Sequence, residues 1–291
     1  MHAIDIPSVC FAVLAHNEER RIACCLFSLL SEAQGAPIHV IVNGSNDRTA
    51  EIARAIPASN IVVHVIEEAG KSRNWNRFAF DMGQDFYDVH VFVDGDVEVR
   101  QGSVAALVAA LSHDPFANVA GAMPLNGRRA ERYRSEMRAQ RGIFGALYAV
   151  RGSFLRRMKD KNIRLPDDLI GDDGLIAAMA KTDLETEANW DDRRVAVCEQ
   201  AGFSCEPVEI LRLPTLLNQY RRMKNYAVRR FQNMIISSIM RDRGPTGLPR
   251  NLSTLYGNYL DRMTPRRSLF WWHFDTVALH KMRAAMKGDH A

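Results

Sequence analysis

Over the first 122 residues the apolar positions fall into short unbroken blocks. Between them lie stretches whose apolar residues recur at helical spacing. Val9–Leu14 reads as a strand, and Ile22, Leu26, Leu29 and Leu30 mark a helix over about 18–33. The same pairing returns as strand 38–42 with helix 47–56, strand 61–66 with helix 73–82, and strand 89–93 with helix 103–111. A fifth strand is expected at 119–123. Strands without inside/outside alternation are buried on both faces, as in a parallel sheet covered by helices. In such sheets the reactive residues gather in the loops beyond the carboxyl ends of the strands.

After residue 123 the pattern loosens. A basic polar helix is expected at 128–140, and a short apolar stretch follows at 145–151. Pro166-Asp167-Asp168 leads through Ile170-Gly171-Asp172-Asp173-Gly174 into a helical run at 175–180. A strand pair is expected at about 194–210 and a long basic helix at 216–240. Gly244-Pro245-Thr246-Gly247-Leu248-Pro249 breaks the chain before a helical tail. The expected divisions are an α/β half at 1–123, a second half of the same domain at 124–243, and a tail at 244–291.

The chain is long enough for a sizeable core, and a content of 25% charged and 47% hydrophobic residues is that of an ordinary globular protein. No apolar run approaches the roughly 18 residues of a membrane span. The N-terminus lacks the succession of a secretory signal. Five cysteines, an odd number with no CxxC pair, indicate neither a disulfide framework nor a structural zinc site, so a cytoplasmic setting is expected. The net charge of +4 conceals an asymmetry. Residues 211–291 hold fifteen Lys/Arg against four Asp/Glu, which leaves a net −7 on residues 1–210. A basic rear points to a phosphate-bearing partner.

The loops after the strands carry the candidate chemistry. Ala15-His16-Asn17-Glu18-Glu19 follows the first strand and contains no glycine. That excludes a GxGxxG dinucleotide turn and a phosphate-cradling P-loop. Asn43-Gly44-Ser45-Asn46-Asp47-Arg48-Thr49 follows the second strand, with Asn46 or Asp47 able to cap the next helix. Gly70-Lys71-Ser72-Arg73-Asn74-Trp75-Asn76 follows the third, and a lysine at a helix start opposes the dipole unless an anion lies there. Asp94-Gly95-Asp96 follows the fourth. Two carboxylates beyond an apolar strand are costly if buried and unpaired, and a Mg²⁺ or Mn²⁺ ion would relieve that cost.

In this order the motifs resemble those of the family 2 glycosyltransferases, whose nucleotide-sugar-binding fold is called GT-A. The loops at 15–19, 43–49 and 70–76 are similar to the family's first three conserved segments, and Asp94-Gly95-Asp96 to its metal-binding DxD. Ile170-Gly171-Asp172-Asp173 resembles the family's Gly-Glu-Asp segment, and Gln219-Tyr220-Arg221-Arg222-Met223 its Gln-x-x-Arg-Trp motif. Met223 stands where the family has tryptophan, which argues against processive polymer synthesis. Asn43 stands where many members have a second acid, so no uridine specificity is implied.

The resemblance implies a GT-A-type, mostly parallel α/β sheet with a helical basic C-terminal extension. It also implies an inverting, metal-dependent transferase that moves a sugar from a nucleoside-diphosphate sugar to a saccharide or lipid-linked acceptor. Asp94 and Asp96 are the expected metal ligands. Ala15, His16, Asn17, Glu18, Asn43, Asp47, Lys71, Asn76, Asp94, Gln219 and Arg222 are the expected nucleotide-sugar contacts. Asp173 is the expected base with Asp172 in reserve, and one of the two is expected to cap the following helix. His16 is expected as a pocket wall or hydrogen-bond donor rather than a metal ligand, because no second histidine sits at ligand spacing.

The alternatives are a catalytically silent saccharide- or partner-binding protein on the same fold and a sugar nucleotidyltransferase. The aromatics at 270–274 beside Arg266, Arg267, Lys281 and Arg283 fit either peripheral contact with an anionic inner membrane face or a core or oligomer contact. Nucleic acid is not expected, since no recognition motif accompanies the charge.

Overall fold

A computed structural model describes residues 7–82, 86–205 and 213–286, with side chains in the last segment from 219 onward. Four strands, β1 (Val9–Ala15), β2 (Ile38–Asn43), β3 (Ile61–Ile66) and β4 (Val89–Asp94), lie in the order β3-β2-β1-β4, all parallel. They are joined by α1 (Ile22–Ala33), α2 (Thr49–Arg54) and α3 (Lys71–Asn76), the last passing into a π-helical turn at Arg77–Asp81. Beyond β4 come β5 (Val97–Val99), α4 (Ser103–His113), β6 (Val119–Pro124), α5 (Ala130–Gln140) and β7 (Leu147–Arg151). Then follow α6 (Gly152–Asp160), α7 (Asp172–Thr182), β8 (Val195–Cys205), α8 (Leu213–Asp242), α9 (Tyr256–Tyr259) and α10 (Leu269–Met286). All eight strands form one sheet in the order β3-β2-β1-β4-β7-β6-β8-β5, with only β7 and β5 running against the rest. The fold is therefore mixed α/β with a mostly parallel sheet, and C-terminal helices follow it.

The absence of alternation in the early strands has a direct cause. Cys10, Ala12 and Leu14 enter one apolar core, while Phe11, Val13 and Ala15 enter a second on the opposite face. Both faces are dry, so both sets must be apolar. In α1, Ile22, Cys25, Leu26, Leu29 and Ala33 form the stripe buried on the second core. That helix stops where Gln34 and Gly35 turn left-handed.

Four expectations need correction. β3 is an edge strand with exposed Val62 and Val65, so it is not buried on both faces. The strand pair expected near 194–210 is, within the described residues, the single strand β8; residues 206–210 lie outside them. β8 pairs parallel with β6 and antiparallel with β5, with a register shift at Ala122/Met123. The three-residue β5 and the helix α6 were not expected. β5 is too short to show a period, and the start of α6 is fixed by packing: a Cβ on Gly152 would lie 1.8 Å from the Tyr87 carbonyl oxygen. Among the described residues no helix is long and apolar enough to cross a membrane.

Candidate active site

The parallel strands deliver their carboxyl-end loops to one rim, where two cavities adjoin. The smaller, about 360 Å³, is lined by Leu14, His16, Glu18, Asn43, Ala69, Gly70, Lys71, Asp94, Gly95 and Asp96. The larger, about 1070 Å³, is bounded by α5, the loop at 142–146, α7 and α8, and its walls include Asp172, Asp173, Arg222 and Arg229. Lys71 and Asp94 line both, so the cavities meet at this ion pair.

Lys71 is the hub of the site. Its ammonium lies 2.7 Å from Asp94 Oδ1 and 3.4 Å from Asp172 Oδ1, and it donates to the Gly145 carbonyl at 3.0 Å. Burial works against its charge, but Asp172 and Asp94 outweigh burial and hold its pKa above the usual lysine value. The anion that a lysine at a helix start requires is thus supplied by the protein's own carboxylates. The cost of the Asp94-Gly95-Asp96 turn is met in the same way, with Arg21 Nη1 standing 3.6 Å from Asp96 Oδ2. Burial and crowding act on the carboxyls of the smaller cavity. Burial, against the pull of Lys71, and the neighbouring Asp96 and Asp172 push the Asp94 carboxyl up to about 7. Burial and Asp96 push Glu18 up to about 7 as well.

The β1 loop is fastened to the β2 loop by a mesh of polar contacts. His16 Nδ1 donates to the Asn43 carbonyl at 2.7 Å, and Asn43 Nδ2 donates to the Ala15 carbonyl at 2.9 Å. Asn17, at φ 58°, accepts from the Asn46 N–H. Asp47 accepts from the N–H groups of Glu19 and Thr49. His16, Glu18 and Asn43 face the smaller cavity, whereas Ala15, Asn17 and Asp47 brace the loops behind it. Gly95 permits this closeness, because a Cβ there would lie 2.8 Å from the Ala15 Cβ.

Asn76 is placed differently from the expectation. It is buried and exchanges amide hydrogen bonds with the backbone of Leu165, accepting at 3.0 Å and donating at 2.8 Å. It pins the segment that leads to the second acidic motif and lines neither cavity.

Both acids of that motif lie in the first turn of α7, where the positive end of the helix dipole favours them. Asp172 is only 3% exposed; one oxygen faces Lys71 and the other has no hydrogen-bond partner. Asp173 Oδ1 receives Arg229 Nη2 at 2.6 Å and the Gly174 N–H at 2.9 Å. The N-cap position is Gly171, which has no side chain to offer, and it is Asp173 that satisfies a first-turn amide, the Gly174 N–H. Gly171, at φ 88°, is demanded twice over, because a Cβ there would sit 2.5 Å from the Arg229 side chain.

On α8, Arg222 lines the larger cavity with Asn225, Tyr226 and Arg229. Gln219, three residues before Arg222, is half-buried on the same helix and is absent from both cavity walls. Arg229 was missed from sequence, although it follows Arg222 by seven residues and so shares its helix face. The far wall, with Tyr133, Glu136, Lys181 and Trp190, was also missed, since no local motif joins α5 to the segment after α7.

Comparison with known proteins bears on this geometry. Residues 10–180 match the sequence profile of the family described as Glycosyl transferase family 2. A curated relative, the 4,4'-diaponeurosporenoate glycosyltransferase of Staphylococcus haemolyticus, is 27% identical over 122 residues, covering 40% of this chain. The chain thus spans only 32% of that relative's length. Among solved structures, the fold is similar to that of a Pyrobaculum calidifontis mannosyltransferase in complex with GDP-Man and Mn²⁺. There the TM-score is 0.61 at 16% identity, over 96% of this chain and 76% of that one. It is also similar to the glucosyl-3-phosphoglycerate synthase of Mycobacterium tuberculosis in complex with Mn²⁺, UDP and phosphoglyceric acid. That match has TM-score 0.52 and 19% identity, over 77% of this chain and 78% of that one. A third likeness is to S. aureus TarS in complex with UDP-GlcNAc, with TM-score 0.55 and 16% identity, over 96% and 81% of the two chains.

Proposed function

The chain belongs to glycosyl transferase family 2, and from that premise we propose that it transfers a sugar from a nucleoside-diphosphate sugar to an acceptor hydroxyl with inversion, at the junction of the two cavities. The observation that carries this reading is the sharing of Lys71 and Asp94 by both cavities. The donor's nucleoside and diphosphate occupy the smaller cavity, against His16, Glu18 and Asn43. The acceptor, a saccharide or lipid-linked saccharide, enters by the larger one.

A divalent ion is part of the proposal. Among the described residues no three His, Cys, Asp or Glu side chains are grouped to hold an ion by themselves. Mg²⁺ and Mn²⁺ are commonly held by one or two carboxylates together with substrate phosphates. Asp96 and Asp94, two carboxylates of one turn that line the smaller cavity, fit that incomplete donor set. The ion would supply Lewis-acid stabilisation of the departing diphosphate. Arg222 adds a planar donor for the same charge from the α8 wall.

Asp173 is the proposed base. Arg229 fixes one of its oxygens, which leaves the other to accept the hydroxyl proton as the acceptor oxygen attacks the anomeric carbon. Asp172 is the more buried acid and holds Lys71, a positioning role. The first experiment is a panel of nucleoside diphosphates screened for thermal stabilisation with and without Mn²⁺, because a ligand that binds only the folded state raises the melting temperature. At least one diphosphate should stabilise, and more strongly with the ion. Absence of any shift across the panel refutes the donor reading.

A further inference from the structure

The first turn of α10 presents apolar side chains to solvent in an ordered way. Leu269 is 89% exposed, Phe270 56% and Trp272 53%. Their presentation is built. Asp275, fully buried, receives Arg266 through its N–H, Nε and Nη2, and the Arg266 guanidinium lies 3.8 Å from the centre of the Trp271 ring. This clamp holds Trp271 half-buried while its neighbours on either side point outward. Phe270 rests edge-on against Phe274 at 5.2 Å, and Phe274 in turn meets Tyr220 of α8 at 5.3 Å. A hydrogen bond of 3.1 Å between Tyr220 and His273 joins the two helices.

The charge around this turn has one sign. On α8, Arg221 is exposed and Lys224 lies over the Tyr220 ring, whereas Arg222 and Arg229 face the larger cavity and Arg230 pairs with Asp275. Arg267 is exposed immediately before α10, and Arg283 lies further along its exposed face. Of the acids nearby, Asp275 is neutralised by Arg266. Exposed aromatic and aliphatic side chains rimmed by arginine and lysine are complementary to a surface with an apolar interior and anionic headgroups. A soluble protein partner with acidic residues would match the charge but not a leucine and a tryptophan standing free of any groove. On α8, the cleft-lining residues Arg222, Asn225, Tyr226 and Arg229 occupy one face, while Tyr220 and Lys224 lie on the opposite one. The helix therefore separates the larger cavity from the apolar turn by little more than its own width.

We propose that the first turn of α10, with the basic residues around it, docks the protein onto an anionic lipid surface, inserting Leu269, Phe270 and Trp272 among the headgroups. The test is flotation of the full chain with phosphatidylcholine vesicles and with vesicles in which part of that lipid is replaced by phosphatidylglycerol. The chain should float with the anionic vesicles and not with the neutral ones, and added salt should weaken the association. The L269S/W272S variant should lose at least tenfold in partitioning, and Arg267→Gln roughly fivefold, as expected for removal of one cation near the surface. Should the double variant melt at a lower temperature, Leu269→Ser alone, at the most exposed of these side chains, must still weaken flotation. Nucleotide-sugar hydrolysis without vesicles should stay unchanged in each variant, because none of these residues lines either cavity. Failure to float, or flotation unchanged by the substitutions, overturns the proposal. So does a dimer in sedimentation velocity that L269S/W272S dissociates, which would assign the turn to contact between copies of the chain.

Discussion

At the scale of single residues the account turns on two acids that are adjacent in sequence and unlike in setting. Asp173 keeps one oxygen outside its pair with Arg229, whereas Asp172 is buried beside Lys71. Asp173→Asn should therefore lower turnover by roughly a hundredfold or more while donor affinity stays nearly intact, as steady-state kinetics beside equilibrium binding will show. Equal losses in both quantities would move the base elsewhere. Gly171→Ala tests how Asp173 is held. A Cβ at a left-handed position and 2.5 Å from the Arg229 side chain must displace that arginine, so turnover should fall more than donor affinity, with about 1–3 kcal/mol lost in stability. An unaltered turnover in a folded variant would separate Arg229 from the chemistry.

At the scale of elements, a buried amide joins α3 to the segment at 165. Replacing Asn76 by Ala leaves the Leu165 N–H and carbonyl without their partner, which should cost about 1–3 kcal/mol in urea denaturation. Donor affinity should hardly change, and a selective loss of affinity would return Asn76 to the nucleotide pocket. The same residue shows what the sequence could not reveal. Its place in a Gly-Lys…Asn segment was legible, but whether the amide faces a cavity or a backbone is decided by a segment 89 residues away. By contrast, the loops at 15–19, 43–49 and 94–96 could be placed directly, because strands buried on both faces announce themselves as unbroken apolar runs. Trp190 and Lys181 illustrate the opposite case. They reach the larger cavity through the packing of α7 against the turn that follows it, and no period or motif encodes that.

At the scale of the whole molecule, one sheet carries two apolar cores, and buried histidines lie within this packing. His90 lies among the rings of Phe78, Phe86 and Tyr87, and burial pulls its pKa down to about 4 against an opposing influence from Asp88. The unfolded chain takes up that proton near pH 6.5, while the folded chain resists it until about pH 4. Stability from this group is thus present above pH 6.5 and lost as the pH falls towards 4. Relative to His90→Phe, the protein should lose up to about 3 kcal/mol over that window and level off below it, as measured by urea denaturation at a series of pH values. A difference that is flat with pH would mean that His90 is not held neutral.

At the rim of the sheet Asp94 and Asp96 line the smaller cavity, where the proposed ion and diphosphate would bind. The most direct measurement is calorimetric titration of a nucleoside diphosphate into the protein, with and without Mn²⁺, for the native chain and for Asp96→Ala. The account predicts binding that strengthens with the ion in the native chain and loses that dependence in the variant. Binding that is indifferent to Mn²⁺, or equally ion-dependent after Asp96 is removed, would contradict it.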